Sequence, residues 1–278
     1  MITHFTPYQI QSCLYDKKRT NSFLQAINER VKKGDIVIDA GSGSGVLGLL
    51  AAKAGAKKVY CIEANPRFIE IIKINSILNR VSNIIEVIHG DATQIEIPQK
   101  SDLLICELLS TGLFFEPEIQ VINHLRSYLK EDGHIIPCKV KSYCELIHAQ
   151  RDAYGLLFDY DSRYEKLKND RILSTKVVFD EPDFYKQEPV EVDKIVIIKA
   201  LGNCTANAIR ITSTAQLSDN IKATKSKFLF NPLVLFLDNP KKLIEGKKYH
   251  LQIRYKRSDD SLGTKIKLYS YRTTNNSI

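Results

Sequence analysis

The stretch Val37-Ile38-Asp39-Ala40-Gly41-Ser42-Gly43-Ser44-Gly45-Val46-Leu47-Gly48 restricts the fold of this 278-residue chain more than any other. An apolar run turns through alternate glycines into an alanine-rich helical segment. Glycine has no Cβ, so the turn can be tight and its backbone can approach a ligand closely, while the following helix aims its positive end at the same place. The layout predicts a ligand cradle at the carboxyl end of the first strand of an open α/β sheet.

Two cofactors compete for that cradle. Gly43-x-Gly45-x-x-Gly48 satisfies the dinucleotide pattern, which is short and unspecific taken alone. The register Asp39-x-Gly41-x-Gly43-x-Gly45 instead sets an acid two residues before the first glycine. An acid there meets a cationic, amine-bearing ligand rather than a pyrophosphate, and this favours S-adenosylmethionine (SAM). Glu63 ends the next apolar run, Lys58-Val59-Tyr60-Cys61-Ile62-Glu63, where a carboxylate can accept both ribose hydroxyls of either cofactor. A glycine turn that binds nothing is the bland alternative; strand, glycines, helix and second acid arriving in order count against it.

The length suits two domains of ordinary size, and 44% hydrophobic with 26% charged residues is a globular composition. No apolar run approaches the roughly 20 residues of a membrane span, and Met1-Ile2-Thr3-His4-Phe5 lacks the basic-then-apolar layout of a signal peptide. A cytoplasmic protein is expected. Cys13, Cys61, Cys106, Cys138, Cys144 and Cys204 include no C-x-x-C pair, so no metal site is expected and the thiols should be reduced.

The net charge of +8 is uneven: residues 1–140 carry 16 basic against 15 acidic side chains, residues 141–278 carry 24 against 17. Lys225, Lys227, Lys241, Lys242, Lys247 and Lys248 scatter among apparent strands and turns. That pattern is expected of a solubilising surface rather than of a face for a polyanion.

Periodicity predicts a helix over 7–33, then strand 36–40, helix 45–54, strand 57–63, helix 66–79, strands 84–89 and 102–107, helix 117–129 and strand 134–138. The alternation means a mainly parallel sheet covered on both faces. After Pro137, the runs Lys139–His148, Val190–Leu201, Ala208–Gln216, Leu233–Leu237, Tyr249–Tyr255 and Thr264–Tyr271 are short and branched or aromatic. Asn239-Pro240, Glu245-Gly246 and Asp259-Asp260 read as turns between them. An antiparallel β-barrel or sandwich follows. Residues 151–187 show no period and are left unassigned. The fold class is therefore α/β: a Rossmann-like SAM-binding sheet with its leading helix in residues 1–137, and a barrel-like unit in 138–278.

The strand ending at Cys106 delivers Glu107 to the sheet edge where ligands collect, and Glu116 follows nine residues later. The apolar segment between them is expected to fold over as a hairpin loop, partly shielded from water. Two shielded carboxylates suit a cation, and a planar guanidinium can bond to both at once. The residues alone leave open a solvated Glu107 and a Glu116 that merely opens a helix.

These features resemble protein arginine methyltransferases. The resemblance rests on Asp39-Ala-Gly-Ser-Gly-Ser-Gly, on Ala54-Gly55-Ala56-Lys57-Lys58-Val59-Tyr60 ahead of Glu63, on the Glu107 to Glu116 spacing, on Leu125 through Pro137, and on Asp16-Lys17-Lys18-Arg19-Thr20. It covers residues 8–140 closely and the remainder loosely. It implies that Arg19 pairs with the carboxylate of SAM, that Asp39 with Gly41, Ser42, Gly43 and Gly45 holds the amino-acid part, that Glu63 and Ala64 meet the ribose, and that Asp91 and Ala92 meet the adenine edge. It implies further that Glu107 and Glu116 orient the acceptor, with Glu107 counted in the SAM set too, and that Asp16 is a third acid beside them or a helix cap.

The chain departs from the family where the acceptor would lie. It contains no tryptophan, so the family's Thr-His-Trp loop is missing, with Phe228-Leu229-Phe230 in its place, and Leu108-Leu109-Ser110 replaces the usual Trp-Met-Gly. The implied partner is a guanidine-containing peptide, protein or small molecule. A homodimer is the family's common arrangement. No Asn/Asp-Pro-Pro-aromatic segment follows the fourth strand, which argues against nucleic acid. Two alternatives stand beside arginine-type N-methyl transfer: another acceptor on the same scaffold, and a SAM-binding scaffold without catalysis.

Overall fold

The computed structural model describes residues 6–158, 161–164, 169–258 and 263–271. The turn expected at Asp259-Asp260 and the opening Met1–Phe5 lie outside them. Two helices, α1 (Pro7–Leu14) and α2 (Lys17–Arg30), occupy the region expected to be one helix over 7–33. The break has a local cause. Asp16 leaves helical geometry at ψ 83° and caps α2, its Oδ1 accepting the Arg19 N–H at 3.3 Å, a better use of a short acid than a place inside a helix.

Five strands form a wholly parallel sheet: β1 (Ile36–Ala40), β2 (Lys58–Glu63), β3 (Ile85–His89), β4 (Ser101–Cys106) and β5 (Leu129–Ile136), in the order β3-β2-β1-β4-β5. Helices α3 (Val46–Ala54), α4 (Pro66–Leu78) and α5 (Glu118–Leu125) connect them. The chain winds outward from β1 to β3 and then returns to the other side of β1, so a crevice opens between the carboxyl ends of β1 and β4. β5 starts five residues before its expected position because α5 stops at Leu125 and a 3-10 turn (Arg126–Tyr128) leads directly into it.

Beyond Ile136 every ladder is antiparallel. One sheet runs β10 (Arg171–Ile172), β6 (Lys139–His148), β13 (Cys204–Gln216), β15 (Leu233–Leu243), β9 (Ser162–Tyr164), with β11 (Val177–Asp180) on β6 and β14 (Lys222–Ala223) on β13. A second sheet pairs β12 (Glu191–Lys199), β16 (Lys248–Lys256) and β17 (Lys265–Ser270), and β7 (Asp152–Ala153) with β8 (Leu156–Leu157) makes a small hairpin. The expected turn at Asn239-Pro240 is instead a bulge inside β15. The ladder passes from Ala206–Lys241 to Ala208–Phe236, and proline, which cannot donate to a ladder, sits where the ladder is interrupted.

The parallel and antiparallel parts share a core. Val140, Phe184, Ala215, Leu217, Leu229 and Phe230 from the second half are packed with the parallel sheet's residues. A separate core fills the space between the two antiparallel sheets, and Phe114, from the loop after β4, is buried in it. Leu109 and Leu113 of that same loop belong to the first core. The segment between Glu107 and Glu116 is thus wedged between both cores.

Candidate active site

The crevice holds two adjoining chambers. The larger, of about 280 Å³, is lined by Gly41, Glu63, Ala64, Asp91, Ala92 and Glu116 among others. The smaller, of about 90 Å³, is lined by Arg19, Asp39, Ser42, Gly43, Glu107, Glu116 and Phe228 among others. Ile10, Gly41, Leu108 and Glu116 border both, so α1, through Ile10, lies over the seam.

The cradle is built as its glycines require. Gly41, Gly43 and Gly45 have φ of 72°, 54° and 80°, the left-handed region that side chains disfavour. A Cβ on Gly41 would stand 2.6 Å from Leu108 Cδ2, and one on Gly48 would stand 2.6 Å from Cys61 Sγ and 3.0 Å from Asp39 Oδ2. The third glycine of the dinucleotide-like pattern therefore serves helix-to-strand packing. Gly45 caps α3 and does not border either chamber.

Four acids stand at consecutive carboxyl ends of the sheet. Asp39 accepts the Gly48 N–H at 2.9 Å, and burial raises its pKa to about 6 against the opposing pull of its hydrogen bonds and of Arg19. Glu63 spans two amides, Gly43 N–H at 2.8 Å and Asn65 N–H at 2.9 Å. One carboxylate thereby ties the glycine loop to the start of α4 and keeps a second lone pair on each oxygen. Asp91 Oδ1 accepts from the Thr93 N–H and hydroxyl at 2.9 and 2.8 Å, an Asx turn that fixes the acid at the far wall.

Glu107 forms an ion pair with Arg19, whose second nitrogen donates to the Cys13 carbonyl at 3.2 Å. Arg19 is only 7% exposed, and desolvation draws its pKa down from the usual value. A guanidinium so buried requires an anion within reach. The resemblance implies that Arg19 meets the SAM carboxylate; within the protein its partner is Glu107.

Glu116 differs. Among the described residues no donor reaches its carboxylate, and burial raises its pKa to about 7, Arg19 opposing. Its backbone is held instead: Ser258 Oγ donates to the Glu116 carbonyl at 2.6 Å. The loop leading to it is pinned from the antiparallel sheets. Gly112 N–H donates to Ser213 Oγ at 2.9 Å, Tyr255 O–H donates to the Gly112 carbonyl at 2.7 Å, and the Thr111 hydroxyl donates to Asn231 O at 2.7 Å. The Phe114 ring stacks on Tyr255 with centroids 4.1 Å apart. Tyr255 lies beside an ion pair between Arg257, 1% exposed, and Asp180, whose closest approach is 2.5 Å.

Asp16 does not border either chamber. Its Oδ2 accepts from Ser226 Oγ at 2.5 Å and from the Phe228 N–H at 2.8 Å. The segment standing in place of the Thr-His-Trp loop therefore docks on Asp16, through a hydroxyl and a backbone amide. Phe228 reaches the smaller chamber beside the acid pair.

Glu118 escaped the sequence reading. It is wholly buried, and its Oε2 accepts the Leu108 N–H at 2.9 Å and the Cys106 thiol at 3.6 Å. Burial drives its pKa well up, and the carboxyl clamps the chain leaving β4. Pro117-Glu118 at a helix start was the available signal. Nothing in sequence marked Tyr255 or Ser258, whose loop partners Gly112 and Glu116 lie more than 140 residues away.

The profile of a family described as ribosomal protein L11 methyltransferase (PrmA) matches residues 16–140. The uncharacterized protein MJ1452 of Methanocaldococcus jannaschii is 35% identical over 259 residues, covering 92% of this chain and 95% of that protein. Protein arginine N-methyltransferase 6 of Danio rerio is 34% identical over 136 residues, 48% of this chain and 39% of its own length. The histone-arginine methyltransferase CARMER of Drosophila ananassae is also 34% identical, over 46% of this chain and 24% of its own. The chain thus matches well under half the length of those two relatives. Among solved structures, the Trypanosoma brucei PRMT1 enzyme-prozyme heterotetrameric complex with AdoHcy superposes with a TM-score of 0.77 at 16% identity, over 97% of this chain and 99% of the other. Arabidopsis thaliana protein arginine methyltransferase 10 also gives 0.77, at 18% identity over 95% and 97%.

Proposed function

The chain belongs to the protein arginine methyltransferase-like class I SAM-dependent methyltransferases, and on that footing we propose that it methylates a guanidinium-type nitrogen held between Glu107 and Glu116. The observation that carries this reading is the placement of both glutamates on one small chamber next to the glycine cradle, with the Glu116 carboxylate unbonded among the described residues.

The residues present fit SAM. The bare backbone of Gly41, at a φ of 72°, borders both chambers. A buried cation, Arg19, and the acids Asp39, Glu63 and Asp91 line the two chambers in the order that a carboxylate, an amine, a ribose and an adenine would need. Arg19 would hold the carboxylate, Asp39 with the loop the amine, Glu63 and Ala64 the ribose, and Asp91 with Ala92 the base edge. When bound, SAM supplies an electrophilic methyl carbon on a sulfonium.

The chain's own residues then have a limited task. Arg19 fixes Glu107 from one side, so that carboxylate presents its remaining lone pairs in a set direction. Glu116 completes a planar two-point grip on a guanidinium, and a cation brought beside it favours its ionised form. The grip orients one nitrogen and excludes water, which is where most of the rate gain of a methyl transfer lies. A Glu116 oxygen then takes the proton released from the methylated nitrogen. The aromatic wall is Phe228, and Asp16 acts through it, by anchoring its loop.

Labelled SAM offered with arginine peptides, free guanidines and nucleic acid identifies the acceptor. Glu116→Gln should lower turnover by about 10²- to 10³-fold, the usual size for one oriented polar group in a closed site. SAM affinity measured by calorimetry should move by less than about twofold. Unchanged turnover sinks the paired-acid role, and SAM binding with no methylation of any extract favours the scaffold alternative.

A second copy of the chain is the proposed partner besides the acceptor. The β7–β8 hairpin exposes Leu156 and Leu157, and α4 exposes Ile74, Ile77 and Leu78, apolar faces of the kind an interface covers. Light scattering across a dilution series tests it; a monomer at all concentrations overturns it. No helix among the described residues is long and apolar enough to cross a membrane. A cytosolic setting fits six cysteines of which none is in a disulfide.

A further inference from the structure

The cleft and its mouth carry opposite charge. Inside, Asp39, Glu63, Asp91, Glu107 and Glu116 line the two chambers between them, and among the described residues Arg19 is the one cation there and no lysine borders either. At the mouth the balance reverses. Lys17 and Lys18 open α2 directly after the buried Asp16, and Lys225 and Lys227 flank Ser226 on the loop that Asp16 holds. All four are exposed. Lys18 Nζ donates to the Lys225 carbonyl at 2.8 Å, so the two pairs form one cluster, and Lys227 Nζ stands 5.3 Å from the centroid of the Phe228 ring that lines the acid chamber.

None of the four lysines is in an ion pair among the described residues. No Asp or Glu occurs between residues 17 and 28 or between 220 and 237. The basic side chains at 225 and 227, expected from sequence to be solubilising surface, are thus set beside the site by the docking of their loop.

Unpaired like charges around a cleft repel ligands of the same sign and steer those of the opposite sign, over about 8–10 Å at ordinary ionic strength. A cationic tail reaching these acids would have to cross the lysines. From this juxtaposition, and resting on the function proposed above, we infer that the acceptor is an arginine in an acidic polypeptide segment. The guanidinium enters the acid chamber while carboxylates or phosphorylated side chains on its neighbours meet Lys17, Lys18, Lys225 and Lys227.

The test uses the full chain and three synthetic peptides with one central arginine, flanked by glutamates, by glycines or by lysines. The expected result is a kcat/KM at least tenfold higher for the glutamate-flanked than for the lysine-flanked peptide at low salt, narrowing as salt rises. Lys225→Glu with Lys227→Glu should invert that order while leaving the glycine-flanked peptide within about threefold. Equal turnover of the three peptides, or an order the double substitution leaves unchanged, overturns the inference but not methyl transfer. If no arginine peptide is methylated, the proposed function fails. Fluorescence anisotropy with labelled glutamate-flanked peptide then decides the rim separately: salt-sensitive binding lost in the double variant supports it, and no binding overturns it. Stronger inhibition by an unstructured RNA than by polyglutamate would assign the rim to nucleic acid and overturn the polypeptide class.

Discussion

Glu63 and Asp91 of the larger chamber, with Asp39 of the adjoining glycine cradle, come from one run of chain in which each acid arrives at the end of a strand or just after it. The smaller one is gathered from afar: Arg19 and Glu107 are 88 residues apart, and Asp16 and Phe228 are 212 apart. Its acid loop is wedged between two cores and fixed by Tyr255, Ser213 and Ser258 from the antiparallel sheets. Binding of the methyl donor and orientation of the acceptor should therefore respond to different parts of the molecule, and the comparison can be broken by perturbing each in turn.

The largest separation is expected at Glu63. Its two amide bonds and its place in the larger chamber predict that Glu63→Ala weakens SAM binding by about 10- to 100-fold, the range of one charge-assisted hydrogen bond or slightly more. KM for the acceptor should hardly move. A matching loss in acceptor KM would mean that the chambers are not independent.

Next comes pH. With Glu116 poised at about 7 and its carboxylate the active form, kcat/KM, which reports the free enzyme, should rise about tenfold between about pH 6 and about pH 8. The sign follows from the acid: protonation below its pKa removes the anion that grips the cation. A pH–rate profile with no ionisation in that window, or the same one in Glu116→Gln, assigns the titration elsewhere, Asp39 and Glu118 being the other raised carboxyls among the described residues.

Smaller is the effect of Tyr255→Phe, which removes the O–H that donates to Gly112 at 2.7 Å. One net hydrogen bond of about 1 kcal/mol corresponds to about fivefold, expected in kcat with SAM affinity unchanged. Equal losses in both would show that the antiparallel sheets support the whole cleft. Smallest is Ser226→Ala. The Phe228 N–H still binds Asp16, so a change of about twofold in acceptor KM is expected, from a partly exposed bond with a remaining partner.

The glycine cradle and the Glu63 wall of the larger chamber were legible in the sequence because their signals are local. A glycine register, an acid two residues earlier and a strand ending in Glu63 are each fixed by backbone sterics within a few positions, and helix α2 starts at Asp16 for a reason contained in four residues. Periodicity alone passed over the break at Asp16, since the apolar stripe of 7–33 continues across it; the helix cap that the sequence offered as one role for Asp16 is the one that ends α1 and starts α2. Glu118 was missed because its role depends on burial, which sets its carboxyl against the Leu108 N–H and the Cys106 thiol.

By itself the sequence determined the parallel sheet, the glycine cradle and the pair of acids nine residues apart, since strand alternation, left-handed glycines and strand-end carboxylates are properties of neighbours along the chain. Only the tertiary structure decided that Arg19 faces Glu107, that Asp16 anchors the Ser226–Phe228 loop instead of joining the acids, and that Lys18 meets Lys225 while Lys227 stands on the Phe228 ring beside the acid chamber. The pairings of Arg19, Asp16 and Lys18 join residues separated by 88 to more than 200 positions. They come about when two halves bury a shared core, and no local preference of the backbone encodes which distant surfaces that burial brings together.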